Sequence, residues 1–439
     1  MPQSRRQFLS LAASGMLVSL PAFDALSNST TKVSGEFVSR GPRIKSVMRR
    51  EETLLRLGGN GDNWHMSWAD DDRQYVSLCD GFGWPTLPGY DQQNSEFNSR
   101  LYAIEGNPPD VRFQYLPDYP DIRHRFDLKA TASAPSPPVY YNFGTLALDG
   151  RIFQYLSTMA GPEDGIAPTQ WFVGAKLIYS PDNGRRWCNQ DGSTPVVWEP
   201  WGKRSHETMV FFGEPQNAFS VITLLQMGRN YEFNRDGYVY GYAPNGDVDG
   251  TANELVMFRV LKGQILCRDA YEFFAGLNAD GAAHWAHDIR SRAVVHTFPR
   301  GWVPTHAHSW VPSVVYNAPL GLYMMANSAF GVGPKGEFAA KASYLGLWVA
   351  PNPWGPWTQI HEETAWMPAN DPKARAYEAQ IAPKWIAPDG KSFWLVWTDW
   401  QVAAPPEWKS PGGIFNVVTK TRTWPNYAFN VQRVDLVIA

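Results

Sequence analysis

The strongest constraint on this chain is its succession of short apolar segments, each cut off by Gly, Pro, Asn or Asp. Within them apolar and polar side chains tend to alternate, the two-residue period of a strand with one buried face. Gln74–Cys79, Arg151–Ser157, Ala175–Tyr179, Phe219–Leu225, Tyr238–Tyr242 and Leu255–Val260 read this way. So do Val314–Tyr316, Leu322–Ala326, Leu345–Ala350, Phe393–Thr398 and Phe415–Thr419. The residues between them build turns for separate reasons: Gly reaches positive φ, Pro fixes φ, and Asn and Asp bond their own backbone. With 37 Gly and 35 Pro in 439 residues, turn formers are dense enough to interrupt strands throughout. Only Asp269–Leu277 and Asp371–Tyr377 carry a brief helical pattern, the second with Pro372 at a first-turn position. The expectation is an all-β protein with two short helical pieces.

Composition removes several classes of function. A chain that is 44% hydrophobic, 14% aromatic and only 18% charged buries too much apolar surface to remain disordered. A formal net charge of −3 excludes a strongly basic surface, so nucleic acid is not an expected partner. No internal stretch approaches the ~20 apolar residues of a membrane helix. The N-terminal Ser4-Arg5-Arg6-Gln7-Phe8-Leu9 resembles a twin-arginine export motif. A mildly apolar stretch follows from Leu9 to Leu20, with small residues Ala22, Ala25 and Ser27 near a cleavage region. Residues 1–27 are therefore expected to be a signal peptide, 28–57 a lead-in segment and 58–439 one catalytic domain. After signal removal the expected product is a monomer in the periplasm or medium, without membrane association. Cys79, Cys188 and Cys267 form an odd, widely spaced set with no C-x-x-C pair. Three buried, reduced thiols are expected, in preference to a disulfide framework or zinc ribbon.

A single all-β domain of this length, without a low-complexity linker, fits a β-propeller better than one sandwich. Ser180-Pro-Asp182-Asn-Gly184-Arg-Arg-Trp187 matches S-x-D-x-G-x-x-W and resembles the Asp-box of sialidase-like propellers. In such a turn Asp182 would accept bonds from turn amides, Gly184 would supply positive φ, and Trp187 would pack between blades. Ala387-Pro-Asp389-Gly390-Lys391-Ser-Phe-Trp394 is a related turn, and Pro353-Trp354-Gly-Pro-Trp357 ends another strand. At about 40–70 residues per unit, five blades are favoured, with six or seven allowed.

Ligands of propellers bind in the axial funnel, so polar side chains beside strand starts are the candidates. The first cluster runs from Gly61 to Asp72 and contains Asp62, Trp64, His65, Trp68 and Asp70. It suits a sugar subsite, with indole platforms and a carboxylate at the reacting centre; the plainer alternative is an Asp-rich turn. The second contains Arg235, Asp236 and Tyr238, where a guanidinium grips a carboxylate or diol and Asp236 tunes a neighbouring acid. Its plainer alternative is a surface turn with a local ion pair. The third is His306-Ala-His308-Ser309-Trp310, which lacks a third ligand for a metal site. The fourth is Tyr377-Glu378, where burial against the ring would raise the acid's pKa, as a general acid requires; the plainer alternative is a solvated Glu. No motif calls for a cofactor, although a structural ion is compatible with the fold.

Tyr271–Gly281, Arg235–Tyr240, Tyr316–Tyr323 and Pro353–Trp357 look like blade motifs of secreted bacterial propellers of glycosidase-like families. These families include a group with members that cleave D-arabinan. The resemblance extends in short pieces from Gly58 to Val437 and implies a carbohydrate substrate. Propeller polysaccharide lyases share a similar look and use His, Tyr and Arg. Three readings follow. In a glycoside hydrolase, Asp62 or Asp70 is base or nucleophile, Asp236 a modulator and Glu378 the proton donor. In a lyase acting on a uronate polymer, Arg235 neutralises the uronate while His65, Tyr238 or His308 moves protons. In a non-catalytic binding propeller, Trp64, Trp68 and Trp310 alone hold the sugar.

Overall fold

The computed structural model describes residues 43–90, 96–123, 139–160, 172–246, 251–298, 311–331, 333–334, 339–399, 414–416, 421–423 and 427–439. Five antiparallel sheets of four to six strands form five blades. Blade 1 holds Met66–Trp68, Gln74–Leu78, Arg100–Asn107 and Asp110–Tyr115. Blade 2 is built on Tyr140–Leu148, Arg151–Thr158 and Gly174–Ser180, and blade 3 on Thr223–Leu224, Tyr238–Asn245 and Thr251–Leu261. Blade 4 holds Ser313–Asn317, Leu322–Gly331, Lys341–Ala350 and Thr358–Trp366. Blade 5 is ordered Ala376–Ile386, Ser392–Asp399, Asn430–Ile438 and Ile44–Arg49.

The first strand of every blade lies innermost. Met66–Trp68 packs on Tyr140–Leu148, which packs on Thr223–Leu224, then Ser313–Asn317, then Ala376–Ile386, which returns to Met66–Trp68. That closed ring makes the protein an all-β, five-bladed propeller. Blade 5 joins the two ends of the described chain, with Ile44 opposite Ile438 and Arg49 opposite Val434. Within the segment read as a lead-in, Ile44–Arg49 thus supplies the outer strand of blade 5.

Burial explains which strands show alternation. Tyr140–Leu148 is buried at all nine positions because blades flank both of its faces. The outer strand Thr358–Trp366 is largely exposed or half-buried and correspondingly polar. Between blades lie aromatic-rich cores: Tyr75, Tyr140 and Trp187 between blades 1 and 2, and Trp64, Trp84 and Phe429 between blades 5 and 1. Each such side chain contributes roughly 1.5–3 kcal/mol on burial.

Two short helical expectations are corrected. Only the single 3-10 turn Arg268–Ala270 precedes the strand Glu272–Leu277, and the turn Pro368–Asn370 precedes Ala376–Ile386. Cross-strand aromatic pairing of Phe258 with Phe273 and Phe274 with Trp285 overrides local helical preference in the first case. Burial of Tyr377 to Ala382 inside the ring does so in the second. The thiol expectation also changes: Cys79 and Cys188 are buried, but Cys267, at the start of a surface turn, is exposed. The Asp-box forms as expected. Asp182 Oδ1 accepts from the Arg186 amide at 2.8 Å, Gly184 has φ +89°, and Trp187 is 5% exposed.

Candidate functional site

Antiparallel hairpins sort the candidate residues to two ends of the axis. Residues just before an inner strand gather at one end; the turn between first and second strands lies at the other. Asp62 and Asn63 precede the inner strand of blade 1, while Tyr377 and Glu378 open that of blade 5. Ring closure makes these neighbours. Asp62 and Glu378 are each 3% exposed. The Asn63 amide donates to Glu378 Oε2 at 2.7 Å. The Tyr377 and Tyr427 hydroxyls both donate to Asp62 Oδ2, at 2.8 and 2.9 Å. Tyr427 also bonds the Asp80 backbone carbonyl at 3.1 Å, bringing a third buried acidic residue to the same end.

The backbone here is held under strain. Asn63, Asp80 and Glu378 have φ of +57°, +48° and +54°. Asn and Asp tolerate this left-handed region, but a Glu within a strand pays ~1–3 kcal/mol for it, a cost concentrated at functional sites. Burial first, and then the charge of Asp62, push the Tyr377 phenol well above its ordinary value, so it remains a donor. Around this end pack Tyr141, Phe143, Phe172, Trp201 and Phe330, and the Phe330 ring lies 4.4 Å from that of Tyr377.

His65 lies further down the axis. It lines a cavity of about 10 Å³ together with Thr145, Thr223, Gln226, Ser313 and Gln380, polar residues from all the other blades. Burial lowers its pKa to about 3, so the imidazole is neutral. Its Nε2 has no hydrogen-bond partner among the described residues.

The remaining expectations divide by end. Asp70 lies in the turn after the inner strand of blade 1, exposed, and accepts from Asn183 Nδ2 at 2.8 Å. Asp236 likewise precedes the second strand of blade 3. Its Oδ1 accepts from Asn234 Nδ2 and the Tyr238 amide, and its Oδ2 from the Tyr240 hydroxyl at 2.5 Å, which is a turn-stabilising role. Arg235 is exposed and donates to the Glu232 carbonyl, while Tyr238 lies 4.1 Å beneath the Arg259 guanidinium. Asp70, Arg235, Asp236 and Tyr238 therefore do not join Asp62 and Glu378, and the set His65, Arg235 and Tyr238 is split between axis and far end. Trp64 is corrected as well: at 0% exposure, with its indole N–H on Thr398 Oγ1, it offers no face to a sugar. Trp68 is half-buried at the far end. His306, His308 and Trp310 lie outside the described residues. Asp80 and Tyr427 are additions that the sequence did not single out; the only local hint is the Asp80-Gly81 turn.

No protein-family model matches the chain, and no curated protein matches it. Solved structures do. A candidate hydrolase from Bacteroides ovatus aligns over 86% of each chain at 14% identity, with a TM-score of 0.48. An N-acetylgalactosamine deacetylase from F. plautii aligns over 90% of this chain and 94% of its own at 11% identity, with a TM-score of 0.45. An endo-arabinase from Bacteroides thetaiotaomicron aligns over 87% and 95% at 10% identity, with a TM-score of 0.37. At such distances the chemistry of this chain rests on its own side chains.

Proposed function

We propose that this protein is an exported glycoside hydrolase whose carboxylate pair is Asp62 and Glu378. The observation that carries this reading is that blades 1 and 5 bring these two buried carboxyl side chains together at one end of the axis. Glycoside hydrolysis needs one carboxyl group to protonate the leaving oxygen and a second, ionised one to activate water or attack the anomeric carbon. Two phenolic donors on Asp62 Oδ2 stabilise its charged form, which suits base or nucleophile. Glu378 takes the donor role, passing its proton to the departing sugar oxygen as the glycosidic bond breaks. Asp80, at the same end, replaces Asp236 as the third acidic group. A passive sugar-binding face has no need of a strained Glu beside a second buried carboxyl group.

The test is digestion of a panel of neutral and acidic polysaccharides. The expected result is new reducing ends without near-ultraviolet absorbance. An absorbing, unsaturated product from a uronate polymer would instead assign elimination. Export rests on Arg5 and Arg6, outside the described residues; replacing both by Lys is expected to leave uncleaved precursor in the cytoplasm, and normal processing of that variant would refute the route.

A further inference from the structure

The end of the axis opposite Asp62 and Glu378 carries a groove of about 990 Å³, at the upper size of a small-molecule site. It crosses the turns after the inner strands of blades 1, 3, 4 and 5. Four aromatic side chains line it while only half-buried: Trp68, Phe233, Tyr316 and Trp394. Phe233 and Tyr316 lie 6.4 Å apart, tilted by 60°, as adjoining panels of one wall.

The platform is fixed before any ligand arrives. The Trp68 indole N–H donates to Asp72 Oδ1 at 3.0 Å, and Asp72 Oδ2 lies 2.9 Å from Lys384 Nζ. With its N–H occupied, Trp68 has no donor left to offer and contributes only its ring to the groove. A ring face attracts the C–H face of a sugar, whereas a peptide strand also seeks a donor for its carbonyls. Charge along the groove nearly cancels. Lys384 is matched by Asp72 and Arg433 by Asp435 at 2.8 Å, while Glu232 and Asp389 accompany Lys391.

We propose that this groove is a second carbohydrate-binding site, for an uncharged stretch of the polymer attacked at the other end. The proposal rests on the hydrolase reading for its ligand class. It adds that the polymer is held by aromatic stacking at a place where no bond is broken.

Affinity electrophoresis in gels cast with arabinan, xylan or alginate tests it, using Glu378→Gln protein so that the gel stays intact. Retardation by arabinan or xylan is expected, with the dissociation constant raised about tenfold or more when Trp68→Ala and Trp394→Ala are added. Unchanged retardation in that variant overturns the proposal, as does retardation by alginate alone or by no polymer. Should the double variant unfold on heating earlier than its parent, Trp394→Ala alone provides the same comparison. Loss of hydrolysis in Glu378→Gln bears only on the catalytic reading; loss of retardation on substituting the indoles bears only on the groove.

Discussion

Glu378 occupies a left-handed backbone conformation near the start of a strand buried over its first eight positions, and its carboxylate is held by the amide that follows Asp62. That pairing was half legible in the sequence. Asp62 and Glu378 each stand beside an inner strand, where funnel residues are sought. Tyr427 was not legible, because its bond to Asp62 spans 365 residues and exists only once the ring closes. Trp64 was misjudged because a residue adjoining an inner strand can be swallowed by the neighbouring blade, whereas His65 lies on the axis. His65 makes a measurable contribution. Its folded value of about 3 lies below the ordinary 6.5, so only the unfolded chain binds a proton between those limits. The stability involved is present above pH 6.5 and lost as pH falls toward 3. His296, lowered to about 4 by burial, acts with the same sign. Denaturant unfolding of His65→Gln across this range is expected to show a pH slope smaller by about one proton; an unaltered slope would contradict the assignment.

At the scale of elements, the middle strands of the blades were the readable ones. They are apolar and aromatic runs cut off by turn formers, and Gln74–Leu78, Arg151–Thr158 and Gly174–Ser180 are buried almost throughout, like the inner strand Tyr140–Leu148, whereas the outer strand Thr358–Trp366 is mostly polar. The Asp-box was readable because its turn is local: Ser180, Asp182 and Gly184 satisfy one another within five residues. Strand direction was not. Asp62 and Asp70 are close in sequence, yet a strand separates them and places them at opposite ends; Asp236 follows the same rule before the second strand of blade 3. The fastening of the first described strand is also an element-scale device. Arg49 bonds Glu363 on blade 4 through two nitrogens, at 2.5 and 2.7 Å, and His361 adds a contact at 2.9 Å. Although burial raises the Glu363 pKa, the bonds from His361 and Arg49 prevail and hold it at about 2, against 4.5. Removing this clasp with Arg49→Ala is expected to cost ~1.5–3 kcal/mol in urea unfolding at neutral pH. The difference from wild type should shrink as pH falls from 4.5 toward 2, since the benefit belongs to the ionised Glu363. A loss below ~0.5 kcal/mol would show that the clasp is ornamental.

The whole molecule is a ring with two unlike ends. One end gathers Asp62, Asp80 and Glu378 within an aromatic collar; the other carries the half-buried indoles and the turns of Asp70 and Asp236. Fold class and blade number were legible because length, turn density and repeated strands have few solutions. The allocation of side chains to the two ends depends on hairpin direction and closure, which no single motif encodes. The central claim is that bond cleavage belongs to the end holding Asp62 and Glu378. It is tested most directly by comparing kcat/KM of Asp62→Asn, Glu378→Gln and Asp236→Asn on whichever polysaccharide the wild-type protein degrades. Losses of ~10²–10⁴-fold are expected for the first two, with Asp236→Asn within a few-fold of wild type. Near-normal turnover by Glu378→Gln, or a loss of that size in Asp236→Asn alone, would contradict the account.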